Sequence, residues 1–246
     1  MNHSKFRLPL VTAALGVAAC ILRLGLYRFA RDEKGLLIPG HPLAIALWVL
    51  TAAAAVFVIL QIPKQQTGRF CRADDVSVSS LAMVGCLVFA AGLLATVLTN
   101  FTVNATMDLL RVASGLLAVP ALAAVAFCRK AEKQPFFGFH AIVCIALTLH
   151  TISHYSGWSS RPQLQDAFFP MMGCLMLMLF AYYQTASDAG MGSRRMQVGT
   201  GLLAVFCSMA AVAESGNQLL YLTGSIWAVT NLWIEPTLHK DKEECQ

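Results

Sequence analysis

Apolar runs about as long as a bilayer is thick recur from one end of this chain to the other, and they constrain its fold more than any other feature. A helix needs about 20 mainly apolar residues to cross a hydrocarbon core roughly 30 Å thick. Runs of that length fall at about 7–29, 42–62, 76–98, 107–127, 136–155, 166–187, 196–213 and 217–234, with only short polar breaks between them. Nothing is left over for a soluble domain, and only 13% of the residues are charged, where a soluble domain carries about 25%. The expectation is an all-α polytopic transmembrane bundle, one integral domain over residues 1–246, with eight spans. Seven is the competing count, because Glu214-Ser215-Gly216-Asn217 is a short break and a re-entrant hairpin gives a similar profile.

Orientation follows from where positive charge falls, since short cytoplasmic loops retain Lys and Arg. With the N-terminus inside, the inner segments hold Lys5, Arg7, Lys64, Arg69, Arg72, Arg129, Lys130, Lys133, Arg194, Arg195, Lys240 and Lys242. The outer ones hold Arg28, Arg31, Lys34 and Arg161, and Arg23 and Arg111 lie within spans. This bias predicts both termini in the cytoplasm of a cell with the chain in its cytoplasmic membrane, and it accounts for the net charge of +5. No basic patch is interleaved with aromatic residues, so nucleic acid is not an expected partner; the lipid bilayer is.

None of the eight cysteines falls in an outer loop, where disulfides persist, so no structural disulfide is expected. Lys5 and Arg7 before an apolar run resemble a secretory signal, but the run continues to a full span and reads as the first helix. Asn100-Phe101-Thr102 and Asn104-Ala105-Thr106 match the glycosylation pattern in a loop expected to be pressed against the membrane. Small residues such as Ala113-Ser114-Gly115 suit close helix packing in lipid, and Pro120 is expected to kink the fourth span.

Ionisable side chains within a membrane cost about 2.5–3.5 kcal/mol for Arg or Asp at the centre and usually mark function. Here they gather toward the outer face. Arg23 lies six residues before the end of the first span, about 9 Å deep, with Tyr27 on its face, and needs a carbonyl, an acid such as Asp108 or Glu214, or an anionic ligand. Asp108 and Arg111 are three apart and can pair. Trp158, Arg161, Asp166 and Glu214 come from the outer loops and breaks, and complete the set expected to line an outward pocket. His150 and His154, four apart on one face, can chelate a metal ion. Haem would need an axial ligand from another helix, and His41 is the histidine placed to supply it; His140 lies near the opposite face.

The pattern His150-Thr151-Ile152-Ser153-His154 resembles the HxxxH element of the adiponectin-receptor, alkaline-ceramidase and hemolysin-III group, and that resemblance implies a zinc-dependent intramembrane hydrolase. It covers one motif; the group's companion Ser-x-x-x-His is absent, and the pair stands in the fifth of eight expected spans. The chain has no phosphate loop, no dinucleotide fingerprint and no G-x-S-x-G elbow. It also has no lysine within a span for a retinal Schiff base, and no carboxylate near mid-membrane. The reading is a non-enzymatic bundle whose outward pocket takes up a small anionic molecule for uptake, export or sensing. The zinc hydrolase is one alternative, and a structural or assembly subunit without a ligand is another.

Overall fold

A computed structural model describes residues 3–32, 36–38, 40–64, 80–99, 106–131, 133, 135–159, 164–214 and 216–233. They form eight helices: α1 (His3–Phe29), α2 (Pro42–Gln61), α3 (Ser80–Thr99), α4 (Thr106–Lys130), α5 (Phe137–Ser159), α6 (Leu164–Asp188), α7 (Arg194–Ala211) and α8 (Gln218–Leu232). A 3-10 turn over Ile62–Lys64 extends α2. Among the described residues there is no strand, only an isolated bridge between Arg31 and Leu37. The eight helices match the eight expected spans in order, with ends displaced by a few residues; the expected start of the third span at 76 lies outside the described residues. Pro120 sits inside α4, which stays helical from Thr106 to Lys130.

Six of the helices, α1 to α6, are long and apolar enough to cross a membrane, and α7 and α8 are not. The packing explains the division. α3, α4, α5, α6, α7 and α8 close a ring in that order, α1 packs on α7 and α8, and α2 covers α1 and α7. Twelve of the 18 residues of α7 and ten of the 15 of α8 are buried, against three of 20 in α2. The two helices that do not qualify as spans are therefore central ones, screened from the surroundings by the others. At about 22 Å, α8 is shorter than a hydrocarbon core, and burial relieves it of having to match one. Around them the surface carries Ile21, Val49, Ile59, Leu98, Leu117 and Phe127, each more than 60% exposed. So much exposed apolar side chain suits a lipid-facing belt.

The core centres on Trp227 of α8. Its ring stacks on Phe89 of α3 at 4.9 Å and meets Phe180 of α6 edge-on at 5.0 Å. Close approach of α3 and α8 depends on two glycines a heptad apart: a Cβ at Gly85 would strike Thr230 Oγ1, and one at Gly92 would strike Thr223 Oγ1. Both hydroxyls instead bond within α8, to the Ile226 and Leu219 carbonyls. The bundle has two polar ends, one holding Arg23 and Arg111, the other Arg129 and Asp188.

Candidate functional site

Arg23 is 3% exposed and faces the bundle interior. Its Nη1 donates to the Ala210 carbonyl at 2.8 Å, and its Nη2 to Tyr27 Oη at 2.5 Å and the Asp166 carbonyl at 3.2 Å. Both carbonyls are open for a local reason. Ala210 lies in the last turn of α7, where carbonyls have no intrahelical partner and a cation also favours the helix dipole. Asp166 is four residues before Pro170, which has no N–H to give it. Of the partners expected for Arg23, the structure supplies carbonyls, two of them, together with a phenol, and the Phe169 ring lies 5.1 Å away. Asp108 lies on α4, which does not pack on α1.

Tyr27 and Asp166 belong to the same group. Arg31 lies 3.4 Å from Asp166 Oδ2 and 4.6 Å over the Tyr27 ring, and Arg23, Tyr27 and Asp166 line a cavity of about 20 Å³ with Leu37 and Trp48, room for about one water. Glu214 is buried just beyond α7, within electrostatic reach of Tyr27 and Tyr221.

Asp108, Arg111, His150 and His154 form a second group, between α4 and α5. Arg111 Nη2 lies 3.8 Å from Asp108 Oδ1, one turn back along α4. Its Nη1 lies 3.2 Å from His154 Nε2. A guanidinium only donates, so that imidazole nitrogen accepts and the ring proton sits on Nδ1. The His150 and His154 rings are 4.4 Å apart, as their spacing predicts. His150 is buried, and its Nε2 has no hydrogen-bond partner. A second cavity of about 20 Å³ opens here, lined by Arg111 and Gly115 from α4, His150 and Ala146 from α5, and Leu93, Thr96 and Val97 from α3.

The sequence-derived residues thus divide between two sites, because α6 and α7 stand between α1 and the α4–α5 pair. His41 belongs to neither: it caps α2, its Nδ1 accepting from the Leu43 amide at 3.3 Å, and α2 packs on α1 and α7. Among the described residues no group of three or more His, Cys, Asp or Glu side chains gathers to hold a metal ion. Arg161 and the Trp158 side chain lie outside the described residues. Sequence reasoning missed a buried group at the other end, Arg129, His140 and Asp188. Each stands near a helix terminus, where the linear sequence reads as loop edge and gives no sign of burial.

No family model, curated protein or solved structure matches this chain.

Proposed function

We propose that this chain is a multi-pass membrane protein that binds a small anion, or a molecule tipped by a carboxylate, in the α3–α4–α5 cleft, in the service of uptake, export or sensing. The observation that carries the reading is the buried His150 Nε2, which lacks a partner and lines the same cavity as the Arg111 guanidinium. A neutral His150 ring that carries its proton on Nε2, beside a guanidinium, offers two N–H donors to one acceptor. The cavity admits only a very small group, so a larger ligand enters by its charged tip. With Lys and Arg concentrated on the opposite segments, the cleft opens to the outer face of the cytoplasmic membrane.

The test is thermal stability of the detergent-purified protein with chloride, acetate and phosphate as probes. A ligand at 100 times its Kd stabilises by about 2.7 kcal/mol, so at least one probe should raise the melting temperature. Arg111→Gln and His150→Ala should abolish the rise, and Arg28→Ala should keep it. No rise with any probe, or an equal rise in Arg111→Gln, overturns the reading.

The paired imidazoles support one rival, the zinc hydrolase. Against it, the Arg111 guanidinium stands 3.2 Å from His154 Nε2, where it would repel a cation. Stoichiometric zinc in the purified protein, lost on His150→Ala, would decide for the hydrolase.

A further inference from the structure

At the end of the bundle away from the anion cleft, five helices converge on a buried polar group that the cleft does not use. Asp188, the last residue of α6, meets His140 of α5 at 2.5 Å (Oδ2 to Nδ1) and Arg129 of α4 at 3.8 Å (Oδ1 to Nη2). The three side chains are 5%, 0% and 7% exposed. From α8, Trp227 brings its ring centroid within 6.1 Å of the His140 ring. Asn231 Nδ2 donates to the Trp227 carbonyl at 2.9 Å and faces Cys86 Sγ of α3 at 3.8 Å. His140 Nε2, Asn231 Oδ1, Trp227 Nε1 and Arg129 Nε are all buried without a hydrogen-bond partner.

The imidazole is the unusual member. With its Nδ1–H given to the Asp188 carboxylate, a neutral ring leaves Nε2 as a buried lone pair without a protein donor. One proton from solvent forms a single N–H bond there and breaks none in the protein. The imidazolium then has the carboxylate on its far nitrogen. The Arg129 guanidinium opposes the added charge and Asp188 offsets it. Among the described residues, other polar groups at this end are engaged or turned outward. Cys86 faces Asn231, Arg194 of α7 donates to Gln197 Oε1 and to the Leu232 carbonyl, and Lys130 and Lys133 are exposed. Buried ionisable groups of this kind within a membrane bundle ordinarily mark a pathway or a relay.

We propose that His140, held by Asp188, is a proton-binding site inside the bundle, with the buried, unpartnered Nε2 the atom that takes the proton. The site stands independently of the anion cleft. It lies on the interior face of α4 that also carries Arg111: Arg111 and Arg129 are 18 residues apart, about five helical turns. Between the two ends lie the buried apolar side chains Leu122, Leu147, Phe89, Phe180 and Trp227, each less than 2% exposed.

Trp227 supplies the reporter, because a protonated imidazole quenches a neighbouring indole. In the full chain with Trp48, Trp158 and Trp233 changed to Phe, emission in detergent should fall through one reversible single-proton transition as the pH is lowered from about 8 to about 5. His140→Asn, whose amide keeps a donor toward Asp188, should abolish the transition. Flat emission over that range with an unchanged helical circular-dichroism spectrum overturns the proposal, as does a transition that survives in His140→Asn. Should His140→Asn not fold, Asp188→Asn decides: a displaced midpoint supports the site, and an unmoved one overturns it.

Discussion

Arg23, which reads in the sequence as a binding group, is also tied into the fold by its neighbours. In the sequence it is a cation about two turns inside a span, with no acid nearby. In the fold its guanidinium joins three helices by closing the C-terminus of α7 and the carbonyl that Pro170 frees in α6. Hydrogen bonds from a charged donor contribute roughly 1.5–3 kcal/mol each, and removing the donor leaves both carbonyls buried and open. Arg23→Ala should therefore lower stability by about 3 kcal/mol or more, read as thermal unfolding in detergent. Arg23→Lys should recover part of this, since an ammonium keeps the charge without the planar fork. Arg28 is exposed and lies over the Phe29 ring, so Arg28→Ala should stay within about 0.5 kcal/mol. Equal losses in Arg23→Ala and Arg28→Ala would remove the clamp.

For whole helices, the decisive feature is the contrast between α7 and α8 and the rest. A helix that faces lipid must be apolar on that face; α7 and α8 face other helices and can carry Gln197, Ser208, Ser225, Thr230 and Asn231, all buried. The α3–α8 seam tests this. Gly85→Ala puts a methyl group against Thr230, and overpacking of that kind costs about 1–3 kcal/mol. Thr230→Ala in the same chain removes the nearest obstruction, the hydroxyl, and leaves the residue 230 Cβ 2.9 Å away, so the double variant should regain part of the loss. Additive effects in that double-mutant cycle would mean that the two residues do not meet.

In the molecule as a whole, each polar end is assembled from several helices, and the two ends are separated by the apolar residues around Trp227. Whether the Arg111 end faces outward is settled by labelling. Single cysteines at Arg72 and Gln134, in a background with Cys71, Cys128 and Cys245 changed to Ser, should react with an impermeant reagent only after the cells are opened. Cysteines at Lys34 and Val103 should react on intact cells. Reversal at both members of either pair would invert the topology and move the anion cleft to the cytoplasmic face.

The amino-acid sequence by itself determined the all-helical architecture, the number and order of the helices and the segregation of positive charge. These follow from local quantities: the length of an apolar run, the turn residues that end it and the charge of the breaks between runs. It also determined the α4 and α5 parts of the cleft, because spacings of three and four residues put Asp108 with Arg111 and His150 with His154 on shared helix faces. Which helices lie at the centre was left to the tertiary structure, since α7 and α8 read as weak spans only because their neighbours replace the lipid. The same holds for the division of one expected pocket into two sites and for the burial of Arg129, His140 and Asp188. Those groups stand 48 and 59 positions from Asp188 along the chain, and no periodicity within one helix can report a contact made only when five helices close around it.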